Sequence, residues 1–180
     1  MLTITIPAGE LYSAQDGFVY TEATIIHLEH SLVAIAKWEA KWHKAFFSKR
    51  PRTAEESFDY IKCMCIEEDI DPLVFLNITK EDAARIEEYM QDPQTASYIW
   101  SPTGDVESRE ATTNELIYYW MISLQIPFEC QYWHINHLLS LIRVCNAKND
   151  NGSKRVSEDE MRRQYAELNK QRRAMWNTKG

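Results

Sequence analysis

The sequence predicts a mainly α-helical fold with a small N-terminal antiparallel β-hairpin or sheet. Three observations carry this. From about Glu29 onward apolar residues recur at spacings of three and four, the period of one helix face. Only five Gly and six Pro punctuate the 180 residues, so regular elements are long and tight turns few. Before Glu29 the pattern differs: Leu2-Thr3-Ile4-Thr5-Ile6 alternates apolar and polar, as a half-buried strand does.

Each element follows from local signals. Pro7-Ala8-Gly9 ends the first strand, and Ser13 to Gly17 is a turn signal closing on Asp-Gly. Phe18-Val19-Tyr20 and Thr24-Ile25-Ile26 have the aromatic and β-branched bias of strands. Leu32, Ile35, Ala36, Trp38, Trp42, Ala45 and Phe46 then form one helical face that Pro51 stops. Thr53 with Glu56 is a capping box, followed by Phe58, Ile61, Met64 and Cys65 on one face. Asp69 to Pro72 breaks the chain. Thr79-Lys80-Glu81-Asp82 starts another helix, with acids where the helix dipole favours them, ending near Met90. Residues 96–109 read as loop. Thr113 or Asn114 caps a helix over 115–125 that is apolar nearly all round, which implies burial on several sides. A further helix begins at Pro127 and carries Tyr132, Ile135, Leu138, Leu139, Ile142 and Cys145. Asn149 to Ser153 reads as a linker, and Ser157 with Glu160 opens a last, polar helix to about Met175. The domain reading is one unit over 1–150, the hairpin plus helical core, and a basic C-terminal helix over 151–180.

Composition narrows the function classes. A 44% hydrophobic content is enough apolar surface to offset ordering entropy, so the chain is globular. The apolar helical segments carry Glu, Gln, His or Arg every few residues, against the roughly 20 mostly apolar residues a membrane span needs. Met1 to Pro7 lacks the basic start and apolar run of a signal peptide. The expectation is a protein made and kept inside a cell or packaged from there, with Cys63, Cys65, Cys130 and Cys145 reduced. The scattered glycines form neither Gly-x-Gly-x-x-Gly nor a Walker pattern, which disfavours nucleotide hydrolysis.

The candidate chemistry is sparse. His27, His30, His134 and His137 with Cys63 and Cys65 invite a zinc reading, but two residues is an unusual cysteine separation for a structural zinc site and no second pair exists. Cys130 and His134, four apart, form a nucleophile–base pair only in outline, with no glycine-rich oxyanion turn beside them. Glu29, Glu115 and Glu129 act as paired carboxylates only where the fold unites them. No catalytic residue, metal or cofactor is assigned, and the expectation is not an enzyme.

Charge is uneven. Of 20 basic and 27 acidic residues, eight and four fall in Ser153–Gly180, leaving 12 and 23 elsewhere: +4 against −11. Arg162, Arg163, Arg172 and Arg173, with Tyr165 and Trp176, give the last helix a basic face and a thin apolar stripe suited to an acidic partner. Glu158, Asp159, Glu160 and Glu167 dilute it, which disfavours nucleic acid. Trp38 and Trp42 are core residues or, where exposed, interface anchors. These eight residues are the candidate partner-binding set.

Several stretches also resemble a family of small proteins from the structural-gene region of long-tailed, siphovirus-type bacteriophages. They are Leu28-Glu29-His30-Ser31-Leu32 with Lys37-Trp38-Glu39, Asp59 to Met64, Glu115 to Ile122, Ile126 to Cys130, Leu141 to Asn146, and the end from Arg172-Arg173 to Asn177-Thr178-Lys179-Gly180. What the resemblance implies is a tail-assembly chaperone of the host cytoplasm that coats the tape-measure protein, or another phage tail protein, before tail-tube subunits polymerise. Grooves that accept amphipathic helices, used many times along one target, suit that task. Two alternatives stand beside it. One is a virion component, a connector or tail-completion protein, forming homo-oligomers through its N-terminal strands. The other is a small metal-dependent enzyme.

Overall fold

The computed structural model describes residues 1–13, 17–97 and 111–153. The alternating N-terminal sequence forms β1 (Leu2–Ile6), paired antiparallel with β4 (Thr24–Leu28), and β2 (Gly9–Ser13) pairs likewise with β3 (Gly17–Thr21). The registers run from Leu2↔Leu28 to Ile6↔Thr24 and from Gly9↔Thr21 to Ser13↔Gly17. Every pair of residue numbers sums to 30, so the two sheets are two lengths of one ribbon, interrupted opposite Pro7-Ala8. Pro7 has no N–H for the ladder, which accounts for the interruption. It ends β1 at Ile6 as expected, and the chain then resumes at Gly9 as β2, a strand the sequence pattern did not mark. In the inner length Ile4, Ile6, Ile26 and Leu28 are buried. The outer length is held at its base by Asn77, whose Nδ2 donates to Thr21 Oγ1 at 2.5 Å. A Cβ on Gly9 would lie 2.5 Å from that Asn77 side chain, so the close approach requires glycine.

Five α-helices follow among the described residues. α1 (Leu32–Trp42) is capped by Ser31, whose Oγ accepts from Ala34 N at 3.2 Å. It ends at His43, left-handed at φ 52°, well before Pro51. The cause is the buried Glu39, whose Oε1 accepts from Phe46 N at 2.6 Å and turns Phe46 back into the core. α2 (Ala54–Met64) has the expected capping box, with Thr53 and Glu56 each bonding the other's backbone N–H. Beyond it Cys65 bridges Leu28, and Ile66 N donates to His27 O at 2.9 Å, so the 64–66 stretch lies along β4. A short 3-10 helix, Val74–Asn77, precedes α3 (Lys80–Gln91), which Thr79 caps.

α4 (Asn114–Ser123) corrects an expectation. Only Ile117 and Met121 are buried on it, and Tyr119 and Ile122 stand exposed. The helix expected from Pro127 is also divided. A 3-10 helix, Phe128–Tyr132, is followed by an extended Trp133 and then α5 (Ile135–Ser153). The break lets His134 bridge Ser31 and Ile135 N donate to His30 O at 2.7 Å. Asn149 to Ser153 is helical backbone rather than linker. Extending an existing helix gains a bond per residue fixed, so poor helix formers are carried along. About 52% of the described residues are helical and 17% are in strands, so the fold is mixed helix and strand rather than mainly α.

The chain divides into two compact units, Met1–Arg143 and Val144–Gly180. The first holds the ribbon, α1 to α4 and the start of α5. Of the second, the described part is the end of α5. No helix among the described residues is long and apolar enough to cross a membrane.

Candidate protein-interaction surfaces

Trp38 and Trp42, read from the sequence as core residues or, where exposed, interface anchors, are separated by the fold. Trp38 is 1% exposed, its Nε1 donates to Glu56 O at 2.8 Å, and its ring meets Phe46 edge-on. It is therefore a core residue and no surface anchor. Trp42 is half-buried and donates to Asp59 Oδ2 at 2.9 Å. Lys41 pairs with Asp59 and Lys44 with Glu56, so one lysine in the last turn of α1 and one just beyond it clasp α1 to α2. Hydrogen bonds from Lys41 and Trp42 outweigh partial burial and hold the Asp59 carboxyl below its usual range. Trp38→Ala is expected to destabilise the fold by about 3–5 kcal/mol, the range for truncating a buried aromatic. Trp42→Ala should cost markedly less. Urea midpoints followed by circular dichroism check both, and equal shifts would contradict the assignment. Arg162, Arg163, Tyr165, Arg172, Arg173 and Trp176 lie outside the described residues.

The groups that invited a catalytic reading are engaged structurally. His30 is buried, with Nδ1 2.5 Å from Tyr60 Oη and its ring edge-on to His134. Burial first, then His134 and Arg52, lower its pKa from 6.5 to about 3. His134 Nδ1 accepts from Asn136 N at 3.2 Å, so the ring hydrogen sits on Nε2, which donates to Tyr89 O at 3.0 Å. Both ring nitrogens of this neutral imidazole are thereby used, and burial keeps its pKa low. Tyr89 Oη donates to Glu29 Oε1 at 2.6 Å, and burial, reinforced by that carboxylate, raises the phenol's pKa. His137 instead stacks on Trp133, with centroids 4.7 Å apart.

His27 and Cys65 meet through Glu67. His27 Nδ1 lies 2.5 Å from Oε1, and Cys65 Sγ donates to Oε2 at 3.3 Å. Burial opposes ionisation of Glu67, but these bonds hold its carboxyl down at about 2. Burial and the same carboxylate push the Cys65 thiol up to about 11, far from a nucleophile's range. Burial likewise raises the Cys130 thiol. Glu115 and Glu129 are exposed, away from the bond that engages Glu29. Among the described residues no group of three or more His, Cys, Asp or Glu could hold a metal ion.

What the chain does present is exposed apolar surface that sequence reasoning did not select. On the outer ribbon Tyr12, Phe18 and Tyr20 stand 73%, 65% and 74% exposed. Tyr12 and Phe18 are cross-strand partners in edge contact, with centroids 5.4 Å apart. A two-stranded ribbon is marginal by itself, and this pair and the Asn77 anchor are what steady it. The second surface lies on α4 and the 128–132 turn, where Tyr119, Ile122, Phe128 and Tyr132 are each more than half exposed. Its base is firm. Ile117, Met121, Ile126 and Cys130 are buried beneath it, and Tyr118 Oη donates to Gln131 Oε1 at 2.9 Å. The available signal was the spacing of 115, 119 and 122, a second face on a helix whose first face is 117 and 121. Comparison with protein-family models, with curated proteins and with solved structures finds no match to this chain.

Proposed function

We propose that the protein works by binding another protein, and specifically as a tail-assembly chaperone of a long-tailed phage that holds the tape-measure protein. The supporting observation is the α4 surface. Tyr119, Ile122, Phe128 and Tyr132 expose large apolar area on a buried base, and a soluble chain rarely leaves such a patch uncovered without use. A firm apolar face receives the apolar stripe of an amphipathic helix. A tape-measure chain offers many such stripes in series, so modest contacts add through avidity. The family resemblance supplies the identity of the partner.

The test is co-expression of the tagged protein with the tape-measure protein, beside mass spectrometry of purified virions. Capture is expected for the wild type, with absence from virions. Tyr119→Asp with Ile122→Asp should reduce capture at least tenfold while the circular dichroism spectrum is kept, because both side chains are exposed. Undiminished capture by that variant would exclude the α4 surface. Abundance in virions would replace the chaperone reading with the connector one. That second reading has its own support in the ribbon, whose outer length packs chiefly on itself and offers aromatic rings and open strand edges to a neighbour.

A further inference from the structure

The α4 surface carries a sign. Between Ala111 and Ile142 the chain has Glu115 and Glu129 and neither Lys nor Arg. Both carboxylates stand exposed. Glu115, Tyr119 and Ile122 follow one another at spacings of four and three, so they share one face of α4. In the Phe128–Tyr132 3-10 helix, residues three apart eclipse, which sets Glu129 in line with Tyr132. Each half of the apolar patch therefore has a carboxylate in its own row. The backbone N–H of Glu115 itself, and then Thr113, hold its carboxyl below the usual range, so it is ionised at neutral pH. Lys44 lines the same hollow as Glu115, but its ammonium pairs with the buried Glu56.

This sign selects among the helices an apolar patch could receive. A stripe bordered by acids sets like charges against Glu115 and Glu129. A stripe bordered by Lys or Arg sets opposite charges there, and the long stems of those side chains cover apolar surface as well. The exposed rings of Tyr119, Phe128 and Tyr132 act in the same direction, because aromatic faces attract cations.

We infer that the α4 surface receives a basic amphipathic helix of its partner. The helix lays its apolar stripe on Tyr119, Ile122, Phe128 and Tyr132, and Lys or Arg bordering the stripe meet Glu115 and Glu129. The inference rests on the reading of this surface as the chaperone site and states which segments of the target it holds. Apolar burial supplies the hold, and charge decides where along the target it is applied. The chain's own segment 153–180 has the same chemistry, with eight basic residues against four acids, and competes for any site of this kind.

The experiment is fluorescence anisotropy of two labelled synthetic helical peptides, titrated with the full-length protein at low and high salt. Both peptides carry leucines at the same helical spacings; one borders them with Lys and the other with Glu. The Lys peptide is expected to bind about tenfold tighter, since it makes two exposed pairs where the Glu peptide meets two repulsions. The gap should narrow as salt screens the pairing. Glu115→Gln with Glu129→Gln should remove most of the gap while the circular dichroism spectrum is kept, and Glu129→Lys should shift it toward the Glu peptide. Tyr119→Ser with Ile122→Ser should weaken both peptides. A variant with Arg162→Gln, Arg163→Gln, Arg172→Gln and Arg173→Gln removes the internal competitor, and the Lys peptide should bind it at least as tightly as the wild type. Equal affinity for the two peptides overturns the inference. So does a preference that the Glu115→Gln, Glu129→Gln variant keeps, which would come from the net charge of −7 and not from this surface. Binding of neither peptide, to the wild type or to the arginine variant, overturns it too. In the first two of these outcomes, weaker binding by Tyr119→Ser with Ile122→Ser would still uphold the surface, and capture of the tape-measure protein tests the chaperone reading separately.

Discussion

Glu39→Ala is expected to destabilise the protein by about 3–5 kcal/mol, more than most single substitutions. The carboxylate is 7% exposed and accepts three N–H donors: Phe46 N at 2.6 Å, Asn114 N at 2.8 Å and Asn114 Nδ2 at 2.6 Å. Alanine leaves all three without an acceptor, two of them backbone groups; the Phe46 bond is buried and the two Asn114 bonds part-buried, and a fully buried orphaned donor costs about 1–3 kcal/mol. The three do not add fully, because the loop and the helix start relax together. Thr113 gives α4 no side-chain cap. Glu39 takes that part from another helix, so its loss frees the α4 start as well as the 43–46 turn. Glu39→Gln should cost less than Ala but well above zero, since its NH2 sets donor against donor. The measurement is the urea midpoint at constant slope. A Glu39→Ala midpoint within a few tenths of wild type would refute the account.

Acid should weaken the fold well before its carboxylates titrate. The unfolded His30 imidazole takes a proton near pH 6.5, and the folded one only at about 3. Between those values the unfolded chain binds more protons, so stability is complete above about pH 6.5 and is lost as pH falls. At about 1.4 kcal/mol per pH unit, His30 alone withdraws about 2 kcal/mol by pH 5. His134, also held low, acts in the same direction. The groups facing the pair are Tyr60, Tyr89, Glu29, Asp92, Arg52 and the Met1 amino group. Unfolding free energies at pH 7.5 and 5.0 for wild type and His30→Gln test this. The variant should lose most of the difference, and a wild type equally stable at both values would rule it out. The carboxylates held low, Glu56, Asp59 and Glu67, give stability that is present above their unfolded values near 4 and lost below them, a separate and more acidic window.

What could be read from the sequence was the local part. Capping at Thr53 and Thr79, the alternation of β1 and the breaks near Asp69 and Pro93 are decided by neighbours in the chain, and all are found. The errors are where a contact outside the hydrophobic pattern intervenes. α1 stops at His43 because Glu39 reaches Phe46, and the 127–145 segment is split because His134 pairs with Ser31. Ser31 and His134 share no local window, and the Glu39 contact, though only seven residues long, is made by a buried carboxylate that apolar spacing does not signal. The interaction surface was obscured for a related reason. Apolar residues all round α4 suggested burial, yet whether Tyr119 and Ile122 meet another element depends on packing and not on hydrophobicity. Conversely, Trp38 and Trp42 differ by one helical turn, and only the position of α2 decides that the first is core and the second half-buried.

The constant sum of 30 in the ribbon's pairing has a consequence for how this arm can vary. Adding the same number of residues to both sides of the tip lengthens the reach by roughly 3.3 Å per added pair, and every pair from Leu2↔Leu28 inward keeps its partner and its face. Adding one residue to a single side shifts the register and turns Ile4 and Ile6 outward, because side chains alternate with a period of two. The arm is thus an adjustable spacer that tolerates matched, two-sided changes in length and resists one-sided ones.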